Sequence, residues 1–338
     1  MKKILIPVTF LSVLLFACNN EEEMTPSPAL DETPAVQQTV PVVQQEATYG
    51  VIVESDIVYA EGLSHETTNS TSATTMPLLL DVYLPDNDLT NRPVFLFIHG
   101  GAFANGSRKQ WAIVNIANFY AARGWVFISI DYRLLSDQGT VPTEWADFAA
   151  SIPADVAGTF RAMYPAQRDA KAAMRWMVAH KDQYHINTDY ITVGGASAGA
   201  NTAKGISVSD PQDFTNEIST DQDPTLLTTH LDQTYEVQTI VDFWGGPSVT
   251  MAFEEVYGKM LYDPSDPPLM KAHGTADPTV PYQFALDLQD TYDVIGVEML
   301  LHTLEGVGHG DFSATLDGQK LEELAFDFIV AQQELVVE

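Results

Sequence analysis

From about residue 50 onward, short apolar runs alternate with amphipathic stretches. Val94-Phe95-Leu96-Phe97-Ile98, Trp125-Val126-Phe127-Ile128-Ser129-Ile130 and Thr239-Ile240-Val241-Asp242-Phe243-Trp244 are nearly unbroken apolar segments. Such runs suit strands buried on both faces of a parallel sheet. Tyr190–Val193, Leu269–Gly274 and Val297–Leu304 read as further strands. Upstream, residues 50–62 alternate as a strand. Residues 64–75, rich in Ser, Thr and Asn, read as a loop, and Leu78–Leu84 is a second strand stopped by Pro85. Between the strands lie helical patterns. Arg168–Lys181 places Ala170, Ala173, Met174, Met177 and Val178 on one stripe, which marks packing residues. Arg108–Arg123, Pro281–Tyr292 and Gln319–Val330 complete the set. Strands alternating with helices predict an α/β fold, a mainly parallel sheet covered by helices on both faces.

Two segments break the rhythm. Residues 135–166 carry Trp145, Phe148, Phe160, Met163 and Tyr164 between prolines, and read as a small cap insertion over a pocket. Residues 205–236 are polar and irregular, and read as a surface insertion near the pocket mouth.

The chemistry gathers at strand ends. Gly194-Gly195-Ala196-Ser197-Ala198-Gly199 has the G-x-S-x-G spacing of a nucleophile elbow, in which serine tips a sharp strand-to-helix turn. Alone, the pattern is also compatible with a glycine-rich connection. Its company decides the matter. Loops leaving the carboxyl ends of parallel strands meet at one sheet edge. Here they hold His99-Gly100-Gly101-Ala102-Phe103, Ser197, Asp277 and Gly308-His309-Gly310. Asp242 and Asp266 are rival acids, but Asp277 directly follows a strand and a glycine-containing turn. His273 is the rival base, expected to bond locally at its strand end, and His302 lies within a strand. Phe103, Trp145 and Trp244 are candidates to line a substrate pocket. Asp86-Asn87-Asp88 lacks a completed cation loop and reads as a turn. No metal and no cofactor is expected.

Charge and the N-terminus add an address. The formal charge of −30 leaves no basic stripe to meet phosphates, which excludes nucleic acid as a partner. Met1-Lys2-Lys3, an apolar run from Ile4 to Phe16 and Ala17-Cys18 read as a secretory signal over residues 1–17, too short to span a membrane. Cys18 is the sole cysteine. Residues 18–46, rich in Pro, Glu, Gln and Thr, read as a disordered tether ahead of a catalytic domain over 47–338.

These motifs carry two resemblances. Leu15-Phe16-Ala17-Cys18 resembles the lipobox of bacterial lipoproteins, which implies lipidation at Cys18, export and an outer-membrane anchor. Glu21-Glu22-Glu23 resembles the surface-export signal of Bacteroidetes lipoproteins, with a solvated linker as the alternative. The motifs from His99-Gly100 through Asp131-Tyr132-Arg133-Leu134, Arg168-Asp169-Ala170-Lys171, the elbow, His273–Asp277 and Gly308-His309 resemble the α/β-hydrolase fold. More closely, they resemble carboxylesterases of the hormone-sensitive-lipase and acetyl/feruloyl esterase type. That resemblance implies a triad of Ser197, Asp277 and His309 and an oxyanion hole from the N–H groups of Gly101, Ala102 and Ala198. Ala102 stands where the family often has a third glycine. It also implies a cofactor-free enzyme acting on short acyl, acetyl or feruloyl esters, small or polysaccharide-linked. A serine peptidase of the prolyl-oligopeptidase type shares fold and triad, but expects a propeller for which the chain has no room. A non-catalytic surface binding protein is the third reading, and it expects a missing triad member. Oligomeric state stays open.

Overall fold

The computed structural model describes residues 40–338. The signal, Cys18, the acidic run and the first part of the tether lie outside the described residues. In chain order the elements are β1 (Val42–Val43), β2 (Val51–His65), β3 (Ala73–Pro85), β4 (Arg92–Ile98), α1 (Trp111–Ala121) and β5 (Val126–Ile130). Then come α2 (Thr143–Ser151), α3 (Ala154–Ala179), α4 (Lys181–Tyr184), β6 (Ile186–Ala196), α5 (Ala198–Val208) and β7 (Thr239–Phe243). The chain closes with α6 (Ser248–Tyr257), β8 (Leu269–Gly274), α7 (Gln283–Ile295), β9 (Met299–Leu304), β10 (Thr315–Leu316), β11 (Gln319–Lys320), α8 (Leu321–Gln332) and β12 (Val336–Val337).

The main sheet has eight strands in the order β2-β3-β5-β4-β6-β7-β8-β9. The first two pairings are antiparallel and the rest parallel. Every residue of β4 is buried. Side chains alternate across a strand, so Val94, Leu96 and Ile98 join one core with α2, α3 and α5. Phe95 and Phe97 face the other core, with α1 and α8. This is why the run reads apolar without a break.

Several boundaries differ from the sequence expectation. The loop expected over 64–75 is shorter, a turn over 66–72, because the strands run into it at both ends: Leu63 pairs with Thr75 and His65 with Ala73. These positions are polar because the outer half of β3 is exposed, so no apolar alternation marks them. The cap segment is not separate from the following helix. α3 runs 26 residues through Pro165; the expected helix from Arg168 is only its second half, which ends at Ala179, and Lys181 opens α4. Proline usually ends a helix because it lacks an N–H and crowds the preceding turn. Here Pro165 is buried and packs against Gly139, where a Cβ would lie 2.6 Å away. The tether ends earlier than residue 46. Val42 and Val43 pair in parallel with Val336 and Val337, and the Gln45 N–H donates to the Glu338 carbonyl at 2.9 Å. Val43 is fully buried.

Candidate active site

Ser197 sits between β6 and α5 with φ 53° and ψ −119°, a conformation costly for a residue with a side chain. The turn closes because two glycines allow contact. A Cβ at Gly195 would lie 2.4 Å from the Gly199 carbonyl carbon, and one at Gly199 would lie 2.0 Å from the Ile98 oxygen. The Ser197 N–H donates to the Phe243 carbonyl at 2.8 Å, which fastens the turn to β7.

Asp277 and His309 follow the carboxyl ends of β8 and β9, as expected for an edge that collects strand-end loops. His309 Nδ1 lies 2.7 Å from Asp277 Oδ2, and its Nε2 lies 2.9 Å from Ser197 Oγ. The Asp277 Oδ1 accepts from the N–H groups of Thr279 and Val280, both at 2.8 Å. Burial raises the pKa of this carboxyl, but the bond to His309 and the two backbone donors outweigh burial and hold it below the ordinary value. An ionised Asp277 accepts only, so His309 Nδ1 carries the proton and Nε2 is left to accept from the serine hydroxyl. The acid is enclosed, whereas the His309 side chain is 19% exposed.

The His99–Phe103 loop lies against the elbow. A Cβ at Gly100 would come within 2.7 Å of the Ala196 oxygen and 3.2 Å of Ser197 Cβ. Gly101, Ala102 and Phe103 all have positive φ. The Gly101 carbonyl accepts from the N–H groups of Ala104 and Asn105, each at 3.0 Å, and the His99 ring bonds the Gly100 carbonyl at 2.8 Å. Tyr132 stacks on His99 at 4.4 Å and donates to its carbonyl. Ala198 opens α5, where backbone N–H groups have no partner within the helix and the dipole is positive.

The rivals are accounted for by their contacts. Asp242 is fully buried, paired with Lys204 and, at 2.9 Å, with Lys271. Burial works against its charge, but the two ammonium groups outweigh burial and depress its pKa. Burial pushes Lys271 down to about 7. Asp266, in the loop before β8, is raised by burial to about 7 and accepts from the Asp263 N–H. His273 Nε2 donates to the Val280 carbonyl at 2.9 Å, and burial lowers its pKa, so it stays neutral beside Asp277. His302 is likewise lowered by burial.

Of the three aromatic pocket candidates, two are corrected. Trp145 is fully buried, stacked on Phe160 at 4.7 Å, with its indole N–H bonded to the Phe160 carbonyl. Phe103 is buried against Tyr132. Both fill core, because a proline-punctuated aromatic stretch looks the same whether it faces a cleft or a layer of helices. Trp244 is as buried as Phe103 but stands beside the site, 6.4 Å from the His309 ring and 4.9 Å from Phe312.

Sequence reasoning missed the Lys204–Asp242–Lys271 cluster as a unit. Asp242 and Lys271 are register partners on adjacent strands. Asp242 accepts from the Gly245 N–H at 2.7 Å, while Lys271 donates to the Gly245 carbonyl at 2.6 Å. The cluster therefore clamps the turn that presents Trp244 to His309. Three charges on otherwise buried segments were the available signal, since buried charges are rare unless paired.

Comparison with known proteins bears on the fold and the family. The BD-FAE family profile matches residues 80–153 and 156–257, together more than half of the chain. Esterase LipC of Mycobacterium tuberculosis is 31% identical over 137 residues, 40% of this chain and 28% of LipC. The probable carboxylic ester hydrolase LipM of the same organism is 31% identical over 122 residues, 36% of this chain and 23% of LipM. The matched stretches thus span about a quarter of these relatives' own length. Among solved structures, Thermogutta terrifontis esterase 2 phosphorylated by paraoxon superposes with a TM-score of 0.58 at 22% identity, covering 82% of this chain and 94% of the other. The propionate-bound form gives 0.57 at the same identity and coverage. The fold is the α/β-hydrolase fold, and the chain belongs to the BD-FAE family.

Proposed function

We propose that this protein hydrolyses carboxylic esters by a serine mechanism, with Ser197 as nucleophile, His309 as base and Asp277 as its orienting acid. The observation that carries the reading is the unbroken line from Asp277 through His309 to Ser197, with both hydrogen bonds below 3 Å. Ser197 Oγ attacks the ester carbonyl while His309 Nε2 takes its proton. The oxyanion that forms is met by the N–H groups of Gly101, Ala102 and Ala198, fixed by the strained loop and the elbow before reaction begins. His309 returns the proton to the leaving alcohol, leaving an acyl-enzyme. Water, deprotonated by the same histidine, attacks the acyl carbon and frees the carboxylic acid and Ser197.

The acyl group is acetyl, feruloyl or another short acyl group, and the alcohol is a small molecule or a sugar hydroxyl. The net charge of −30 supports a neutral ester over an anionic one. Export and lipid attachment at Cys18 belong to the same proposal and rest on the residues around that cysteine. Mass spectrometry of the N-terminal fragment tests the anchor. A diacylated Cys18 supports it, and a free Cys18 in mature exported protein removes it. For the reaction, turnover of p-nitrophenyl esters of increasing acyl length is compared with aminoacyl anilides. Ester turnover lost in Ser197→Ala supports the reading. Turnover of the anilides alone overturns it.

A further inference from the structure

Asp277 serves His309 with one oxygen only, and a buried ring behind it fixes which one. We propose that His273 is a positioning residue for the hydrolysis, tying the loop that aims Asp277 to strand β8 and leaving Oδ2 to His309, a role that rests on the hydrolase reading above.

The link runs through Val280. Asp277 lies in the segment that joins β8 to α7. Its Oδ1 accepts from the N–H groups of Thr279 and Val280, so the carboxylate points where that turn points. The turn is held from the sheet side, where His273 Nε2 donates to the Val280 carbonyl at 2.9 Å. His273 is fully buried in β8 and in register with Thr303 of β9, so close packing leaves its ring little freedom. A strand side chain thus fixes Val280, Val280 and Thr279 fix Oδ1, and Oδ2 is left 2.7 Å from His309 Nδ1. Without the His273 donor the Val280 carbonyl loses that partner, and the turn that clamps Oδ1 is released.

The charge of the ring counts as much as its bond. With Nε2 donating, Nδ1 carries a lone pair, and that atom is buried with no hydrogen-bond partner. A proton there would be an unmet buried donor. The charged groups around the ring are Asp277, Lys271 two residues back on the same face of β8, and Asp242, which pairs with Lys271 from β7. Tyr282 packs edge-on at 5.9 Å. Burial and the Lys271 charge both hold the pKa of His273 down, against the pull of the two carboxylates. His273 Nε2 lies only 3.4 Å from Asp277 Oδ2. An imidazolium at that place would draw on the same oxygen that stabilises the His309 cation during reaction. A neutral ring does not compete for it.

The test compares His273→Phe, which removes the donor, and His273→Asn, which withdraws it, with His273→Gln, which keeps an amide N–H on a longer side chain. On p-nitrophenyl acetate, kcat is expected to fall by about tenfold to a hundredfold in the first two, with KM little changed, and to recover most of its value in His273→Gln. The acid limb of kcat/KM, which follows His309, is expected to move to lower pH in the first two, because a misaimed carboxylate favours the imidazolium less. Nitrogen-15 NMR of the histidine rings reads the same His309 shift without turnover, and melting temperature is followed in each variant. In the wild type, the spectra are expected to show His273 as the neutral Nε2–H form throughout the pH range of activity. Unchanged kcat in His273→Phe and His273→Asn, or lost kcat at an unchanged His309 titration, overturns the positioning role and leaves His273 a packing residue. A wild-type His273 that is cationic in that range overturns it too, even where no variant folds. Wild-type protein that turns over no ester loses the hydrolase reading, whereas wild-type turnover kept by both variants loses the positioning role alone.

Discussion

At the residue scale, the site depends on a few atoms held in costly geometry. Ser197 keeps a positive φ because β7 accepts its N–H and two glycines let strand and helix touch. Asp277 spends one oxygen on two backbone donors and the other on His309. Asp277→Asn keeps the shape but turns an amide N–H toward Nδ1, which reverses the imidazole tautomer. We expect kcat to fall by about ten-thousandfold with little change in melting temperature, measured by steady-state kinetics on p-nitrophenyl acetate. A loss smaller than tenfold would deny Asp277 its role. Trp145 makes the opposite prediction. As a buried stack rather than a pocket wall, Trp145→Ala should destabilise the fold by about 3–5 kcal/mol. Denaturant titration reads this. A large rise in KM at unchanged stability would return Trp145 to the substrate.

At the scale of elements, β7 and β8 do more than extend the sheet. They carry Asp242 and Lys271, which with Lys204 from α5 clamp both sides of the Gly245 peptide. Lys271 has a pKa near 7 in the fold against 10.5 as a free side chain. Between those values the unfolded chain binds more protons than the folded one, so this group makes stability rise as pH climbs from 7 toward 10.5. The excess stability of the wild type over Lys271→Met should therefore grow between pH 7 and pH 9, as read by thermal melts in matched buffers. A difference independent of pH would show that Lys271 titrates normally. The cluster was hidden in sequence because its members lie on three segments and meet only through the register that sets Gly195 beside Asp242 and Asp242 beside Lys271. The elbow was legible because its constraint is local: small residues on both sides of one serine.

At the scale of the whole molecule, the order of strands and helices was legible from apolar runs and helical stripes, since a doubly covered parallel sheet imposes both. The ends were not. A two-residue strand such as β1 has no periodicity, and its partner β12 lies almost 300 positions along the chain. Yet Val43 is fully buried there, against a core that includes Leu335. Val43→Ser should lower stability by about 1–3 kcal/mol, measured by denaturant unfolding. An unchanged midpoint would mean that the closure is incidental. The long α3 was misread for a different reason. Pro165 signals a break locally, and only burial among Gly139 and neighbouring helices holds the helix through it.

The central claim is that Ser197 is the nucleophile activated by His309 and Asp277. The most direct measurement is intact-protein and peptide mass spectrometry after treatment with diisopropyl fluorophosphate, with residual ester turnover followed in parallel. One adduct is expected, on Ser197, formed in proportion to the turnover lost, absent from Ser197→Ala and strongly slowed in His309→Ala. Full ester turnover in protein whose Ser197 is unmodified after exhaustive treatment, or equal turnover in Ser197→Ala, would contradict it.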